Sequence, residues 1–201
     1  MIRVLVAEDQ ALLRGALCEI LDRDPDLMVV AQCSRGDEVL DQARHHAPDV
    51  ALLDIEMPGS SGLEAAEELV HHLPAVRILV LTVFGRPGYV HRAVDAGALG
   101  FLLKDAPPVE LIRAIKRTAA GERVIDPALA LNALERGRNP LTEREREVLA
   151  LSRTEPNTAE LASALHLTEG SVRNIISMSI QKLHANGRAQ AALIAEENGW
   201  L

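Results

Sequence analysis

Short apolar runs alternate with helix-period stretches from the amino terminus to Ala120, and this alternation constrains the fold more than any other feature. The apolar runs predict strands at Ile2–Ala7, Met28–Gln32, Val50–Leu53, Arg77–Leu81 and Gly100–Leu103. The amphipathic stretches predict helices at Ala11–Arg23, Asp37–His46, Leu63–His72, Gly88–Ala96 and Pro108–Ala120. This pattern is typical of a parallel sheet covered by helices on both faces. We therefore expect a five-stranded, doubly wound α/β domain of flavodoxin type.

Helical periodicity alone continues after Leu141, where no further strand is predicted. Helices are predicted at Glu143–Arg153, Ala159–Leu165, Glu169–Leu183 and Ala189–Asn198. Thr142 and Glu145 have the spacing of a capping box, and Thr168 is a favourable N-cap residue. The carboxyl-terminal part is therefore expected to be all-α, with four helices.

A turn-rich segment, Gly137–Pro140, separates these two parts of the chain, and a short helix is predicted just upstream at Pro127–Arg136. We predict an α/β domain at 1–122, a linker with a short helix at 123–139, and a helical domain at 140–201.

Composition excludes several function classes. Aromatic residues make up 2% of the chain, too few for the stacked platform that binds single-stranded nucleic acid. No stretch approaches the ~20 apolar residues of a membrane span. The cysteines, Cys18 and Cys33, lack a CxxC spacing and are expected to be reduced core residues. We expect a soluble, cytoplasmic protein without membrane insertion.

Polar side chains follow the carboxyl ends of four predicted strands. Glu8 and Asp9 follow the first, Asp54 the third, Thr82 the fourth and Lys104 the fifth. The ends of parallel strands meet at one edge of a sheet, where ligands bind in such folds. A single acidic residue at a strand end is more often a solvated loop charge. Five polar residues on four strand ends favour a ligand-binding site instead. Crowded carboxylates suit Mg²⁺, and a nucleophilic aspartate beside a metal suits phosphoryl transfer.

Several motifs resemble the receiver domain of bacterial two-component response regulators of the NarL/FixJ group. They are Ala7–Gln10, Asp54–Gly59, Leu81-Thr82 and Leu103–Asp105. Within that family, three segments are similar to the regulators of the membrane-fluidity (desaturase) pathway. They are Asp54–Gly59, Gly62–Leu69 and Phe84–Tyr89.

The resemblance implies a role for each residue of the cluster. Asp54 would accept a phosphoryl group from the histidine of a sensor kinase, and Lys104 and Thr82 would contact its oxygens. The residues expected to ligate Mg²⁺ are Glu8, Asp9, Asp54 and, through its backbone carbonyl, Glu56. The chain itself would be no enzyme, beyond assisting its own phosphorylation and dephosphorylation.

Two further residues and one peptide bond near this cluster also match or depart from the family pattern. Phe101 matches the aromatic switch that moves with the threonine, but it is equally explained as an ordinary core residue of the fifth strand. Val83 is bulkier than the small residue that the family usually has after the threonine, which predicts slower access to the phosphoryl group. A cis peptide bond is expected at Asp105-Ala106 or Ala106-Pro107.

The segment Leu141–Leu151 is similar to the first helix of the LuxR-type helix-turn-helix domain. In such domains a later helix enters the major groove of double-stranded DNA. That helix corresponds here to Glu169–Leu183, with an expected buried face of Val172, Ile176, Ile180 and Leu183. The similarity places base contacts at Arg173, Asn174 and Ser177, and phosphate contacts at Thr158, Ser171 and Lys182.

The charge of this domain opposes DNA binding by a monomer. Six basic and eight acidic residues between Pro140 and Leu201 give a net charge of −2, whereas DNA affinity comes from neutralising phosphates. Dimerisation on phosphorylation would compensate by placing two reading helices about one helical turn (~10 bp) apart. The apolar residues Ala192–Ala195 of the last helix either pair with a second copy or pack on the domain's own core.

The interpretation favoured by these features is a phosphorylation-switched homodimer that binds promoter DNA and regulates transcription. Two alternatives remain open at this point. One is a Mg²⁺-dependent phosphohydrolase that uses Asp54 as its nucleophile. The other is a receiver that no longer accepts phosphate and acts through protein contacts.

Overall fold

The computed structural model of the chain describes residues 1–83, 87–125, 139–155 and 157–201. The chain divides into an α/β unit and a helical unit, each with its own core. In the described residues, no helix combines the length and the apolar character that crossing a bilayer requires.

The α/β unit is built on a parallel sheet, as the sequence predicts. Its strands are β1 (Ile2–Ala7), β2 (Leu27–Cys33), β3 (Val50–Asp54), β4 (Arg77–Thr82), β5 (Gly100–Leu103) and β6 (Val124–Ile125). Their order across the sheet is β2-β1-β3-β4-β5-β6. The doubly wound α/β class is therefore confirmed, but the expected number of five strands is wrong by one.

The additional strand, β6, extends the sheet beyond β5. Val124 pairs with Gly100 and Ile125 with Phe101, and the Val124 N–H donates to the Leu99 carbonyl at 2.9 Å. Two residues are too short for any alternation of apolar and polar positions to be visible. The strand lies at the start of the segment predicted as a linker. The short helix predicted at 127–136 falls outside the described residues, and the domain boundaries stay predictions.

Helices connect the strands and cover the sheet. They are α1 (Ala11–Asp22), α2 (Val39–His46), α3 (Gly62–His72), α4 (Pro87–Asp95) and α5 (Pro108–Ala119), with a 3₁₀ turn at Gly36–Glu38. On one face, alternate residues of β1, β3 and β4 pack against α1 and α5. The residues between them are equally buried and point to the opposite face because side chains alternate along a strand.

Two sequence expectations for this unit have different outcomes. Cys18 and Cys33 are buried and unbridged, as expected. Burial raises the pKa of the Cys33 thiol to about 12, and it also raises the pKa of Cys18. The expected cis peptide bond is wrong, because every peptide bond in the described ranges is trans. Instead, the Ala106 N–H donates to the Leu103 carbonyl at 3.1 Å in a turn that leads to α5.

The helical unit contains α6 (Glu143–Leu151), α7 (Thr158–Ala164), α8 (Glu169–Lys182) and α9 (Arg188–Glu197). The predicted capping box at Thr142 and Glu145 is present, and the Thr168 hydroxyl caps α8 by accepting from the Ser171 N–H at 3.1 Å. Asn157, which the sequence analysis did not single out, caps α7 through the Ala159 N–H. The four-helix prediction for this unit is confirmed within the described part of the chain.

Candidate functional site

The strands β1, β3, β4 and β5 are successive neighbours in the sheet, so their carboxyl ends lie side by side. Asp54 is the last residue of β3 and Thr82 the last of β4. Glu8 and Asp9 directly follow β1, and Lys104 directly follows β5. A polar cleft of ≈ 80 Å³ lies at this edge and is lined by Asp9, Gln10, Asp54, Glu56, Thr82, Val83 and Lys104. The structure thus brings the predicted cluster together.

Lys104 bridges two buried carboxylates in this cluster. Its Nζ lies 2.8 Å from Glu8 Oε2 and 2.9 Å from Asp54 Oδ2. The side chains are 8% exposed for Lys104, 1% for Glu8 and 6% for Asp54, so water screens these ion pairs little. We call Lys104, Glu8 and Asp54 the Lys104 triad. The sequence predicts that these residues lie at one edge of the sheet, but it does not predict which carboxylates pair with the lysine.

Burial and the ion pairs act in opposite directions on the ionisation of the triad. Burial raises the pKa of Asp54 and of Glu8 above the ordinary values, and the contact with Lys104 only partly offsets this. Burial opposes the charged form of Lys104 as well, but its hydrogen bonds to Glu8 and Asp54 outweigh that effect and raise its pKa. The lysine is therefore a stable cation beside carboxylates that lack full compensation.

A third carboxylate completes a donor set that fits Mg²⁺. Glu8, Asp9 and Asp54 each offer one carboxylate oxygen, and these oxygens lie within 4.8 Å of one another. Asp9 is exposed at the cleft, unlike the other two. Hard divalent cations prefer oxygen ligands, and the single lysine neutralises only part of the negative charge. Glu56 also lines the cleft and is exposed, and the ligand role of its backbone carbonyl stays a prediction.

The start of α3 packs closely against the backbone of Asp54 and Ile55. The Gly62 N–H donates to the Ile55 carbonyl at 2.9 Å, and a Cβ atom at position 62 would overlap the Asp54 carbonyl oxygen. Ser61 caps α3 in a capping box with Glu64, which sets where that helix begins. The spacing of Ser61 and Glu64 is a sequence signal for this cap, whereas nothing local reveals the close approach of Gly62.

The two expected switch residues are both buried. Thr82 is 3% exposed, and its carbonyl accepts from the Lys104 N–H at 2.8 Å, which ties β4 to the lysine. Phe101 is 1% exposed and pairs with Val80 on one side and Ile125 on the other. Phe101 is thus a core residue of β5 in this structure, and its role as a switch stays a prediction.

In the helical unit, α8 has the predicted two-sided character. Val172 and Leu183 are buried, and Ile176 and Ile180 pack against the same cores. Ser179 is also buried and donates its hydroxyl to the Ile175 carbonyl at 2.9 Å. The sequence does not predict this burial, because serine is polar. The opposite face exposes Arg173, Asn174, Ser177 and Gln181. The expected base-contacting residues therefore share one solvent-facing side.

Some of the expected phosphate contacts have partners within the protein. Lys182 Nζ lies 2.7 Å from Oε2 of Glu145, whose side chain is 5% exposed. Burial acts to raise the pKa of Glu145, but the bonds from Lys182 and Thr142 prevail and lower it. The Ser171 hydroxyl is 2.8 Å from that of Thr168. Thr158 is the first residue of α7 and is partly exposed.

The apolar residues of α9 mostly serve the core of their own unit. Ala192 is 5% exposed and Ala195 is fully buried. Ile194 packs against the hydrophobic cluster that contains Ala195. Leu193, by contrast, is 52% exposed. Of the two explanations for this stripe, packing on the domain's own core accounts for all of it except Leu193.

Two family models match the chain. Residues 4–116 match the response regulator receiver domain, and residues 139–195 match the luxR family of bacterial regulatory proteins. The first match contains the whole carboxylate cluster, and the second contains α6 to α8 and most of α9.

Two curated relatives and one solved structure align over nearly the full length of the chain. The chain is 47% identical over 201 residues to the uncharacterized transcriptional regulatory protein YvfU of Bacillus subtilis, covering 100% of both chains. It is 44% identical to the transcriptional regulatory protein DesR of the same organism, covering 100% of this chain and 99% of DesR. The crystal structure of the response regulator ChrA of a heme-sensing two-component system aligns with 31% identity and a TM-score of 0.59, covering 100% of this chain and 98% of ChrA. The resemblance to response regulators that the motifs indicated is confirmed.

Proposed function

The chain belongs to the two-component response regulators that join a receiver domain to a LuxR-type DNA-binding domain and regulate transcription, and from this premise we propose that phosphorylation of Asp54 by a sensor histidine kinase controls its binding to promoter DNA. The observation that carries the proposal is that carboxylate oxygens of Glu8, Asp9 and Asp54 lie within 4.8 Å of one another, with the Lys104 ammonium paired to Glu8 and Asp54.

The proposed transfer forms a bond between an Asp54 carboxylate oxygen and phosphorus and breaks the bond from phosphorus to the kinase histidine, which leaves as imidazole. Catalysis of such transfers rests mainly on positioning and charge neutralisation. Lys104, already 2.9 Å from Asp54 Oδ2, would neutralise the phosphoryl oxygens. Thr82 would donate its hydroxyl to one of them. Glu8, Asp9, Asp54 and the Glu56 carbonyl would hold Mg²⁺, which when bound neutralises charge on the phosphoryl group.

Output is proposed to depend on dimerisation. The exposed face of α8 presents Arg173 and Asn174, whose side chains can make bidentate contacts with guanine and adenine. The net charge of −2 over this domain makes binding by one copy weak, and two copies double the phosphate contacts. A phosphorylated form that favours the dimer would then shift the population toward the DNA-binding state. A regulator that reads promoter DNA is expected in the cytoplasm.

The test compares the unmodified and phosphorylated full chain. Acetyl phosphate or beryllofluoride is added with and without Mg²⁺, followed by light-scattering mass measurement and by enrichment of bound duplexes from a random DNA pool. We expect a Mg²⁺-dependent rise to dimer mass with enrichment of a two-half-site sequence, and neither in Asp54→Asn. Dimerisation and enrichment that are unchanged in Asp54→Asn would contradict the proposal.

A further inference from the structure

The loop that carries Glu8 and Asp9 is held by a side chain outside the cleft. Residues 8–10 connect β1 to α1, and the N-cap residue of α1, Gln10, makes no side-chain capping bond. Arg14, one turn into α1, extends back over this loop. Its Nη1 donates to the Glu8 carbonyl at 2.6 Å and to the Asp9 carbonyl at 3.3 Å.

These bonds hold the backbone from which the two carboxylates project. The Glu8 N–H donates to the Cys33 carbonyl at 3.1 Å, so with Arg14 on its carbonyl both sides of this residue's backbone are held. The Glu8 carboxylate is then directed to Lys104 at 2.8 Å. Asp9, at the exposed end of the donor set, is tied to α1 through the 3.3 Å bond to Arg14. Fixing consecutive carbonyls fixes the peptide planes from which both side chains project.

Arginine has properties that suit this position. Its guanidinium is planar, always charged, and carries five donors in a rigid fork, whereas lysine offers a compact ammonium on a flexible stem. Partners that orient metal ligands without touching the metal commonly change metal affinity when they are mutated. We propose that Arg14 is a positioning residue, which holds the Glu8–Asp9 loop so that its carboxylates converge with Asp54 on Mg²⁺. This inference rests on the proposed function, since it assumes that the cluster binds Mg²⁺.

The test is a calorimetric titration of the full, unphosphorylated chain with MgCl₂. We expect Arg14→Gln to raise the Mg²⁺ dissociation constant about ten- to a hundredfold. Arg23→Gln is the matched control, because Arg23 borders the other end of α1 and pairs only loosely, at 3.4 Å, with Glu19. It removes the same charge and should leave Mg²⁺ affinity unchanged. Circular dichroism in EDTA verifies that each variant is folded.

Arg14→Lys separates positioning from charge and serves also if Arg14→Gln does not fold. It keeps the positive charge but loses the planar, rigid group that carries Nη1, so it should recover only part of the affinity. Full recovery would assign the effect to charge and contradict a positioning role. Unaltered Mg²⁺ affinity in Arg14→Gln, with clear binding by the unmodified chain, would overturn this inference alone. No Mg²⁺ binding by the unmodified chain would overturn the proposed function as well.

Discussion

Replacing Lys104 with methionine tests whether this lysine neutralises the carboxylate cluster. Methionine keeps much of the apolar stem but removes the ammonium, which leaves Glu8 and Asp54 buried, close together and without their cation. Removing one partner of a buried ion pair costs about 3–5 kcal/mol, because the remaining charge stays desolvated. Since a domain is typically stable by only about 5–15 kcal/mol, the loss should be large.

Urea unfolding followed by circular dichroism, fitted with separate transitions for the two units, measures this loss. In EDTA, Lys104→Met should lower the unfolding free energy of the α/β unit by about 3–5 kcal/mol. The matched control is Lys116→Met, since Lys116 also bridges two carboxylates, those of Asp24 and Asp26, but at the surface. Its effect should be much smaller because exposed ion pairs contribute little.

Mg²⁺ and a second substitution sharpen the prediction. A cation bound by the remaining carboxylates should restore stability to Lys104→Met, by about 2.7 kcal/mol at a hundred times its dissociation constant. Glu8→Gln in the Lys104→Met background should also recover stability, because it removes one of the uncompensated charges. If Lys104→Met destabilises the unit no more than Lys116→Met does in EDTA, the reasoning about the Lys104 triad is refuted.

Three other predictions concern phosphoryl lifetime, the reading helix and the cysteines. Val83 lines the cleft and is 60% exposed, so Val83→Ala should open a path for water and shorten the lifetime of phosphorylated Asp54; an unchanged dephosphorylation rate would count against this. Lys182→Met leaves buried Glu145 without its 2.7 Å partner and should destabilise the helical unit to urea by about 1–3 kcal/mol. Arg173→Met, which removes only an exposed pair with Glu169, should leave urea unfolding of that unit nearly unchanged but reduce DNA binding. Equal stability of these two variants would contradict a stabilising role for the ion pair between Lys182 and Glu145. Because burial raises the pKa of Cys33 to about 12, this thiol should stay protonated at pH 8 and react with iodoacetamide only in urea, and rapid native labelling would disprove it.

The clustering of the site's side chains is predictable from the sequence because it follows from a simple rule. Parallel strands end at the same edge, so residues that follow apolar runs are brought together whatever lies between them in the chain. Glu8, Asp54 and Lys104 are far apart in sequence and yet form the ion pairs of the Lys104 triad. Capping residues such as Thr142 are predictable for a similar reason, since their partners lie within four positions.

Features that depend on packing are not visible in the sequence. The two residues of β6 carry no periodic signal, and they become a strand only because the edge of β5 is available for pairing. Lys182 has the residue type and position of a phosphate contact, but the fold places it against Glu145, 37 residues earlier. Arg14 is an unremarkable basic residue of an amphipathic helix until its bonds to the Glu8 and Asp9 carbonyls are known.

The central claim is that the cluster makes the Asp54 side chain the one that accepts a phosphoryl group. Intact-mass spectrometry of the full chain after incubation with acetyl phosphate tests it most directly, in MgCl₂ and in EDTA. We expect the mass gain of a single phosphoryl group in MgCl₂, little or none in EDTA, and none in Asp54→Asn. No gain by the unmodified chain in MgCl₂, or an equal gain in Asp54→Asn, would contradict it.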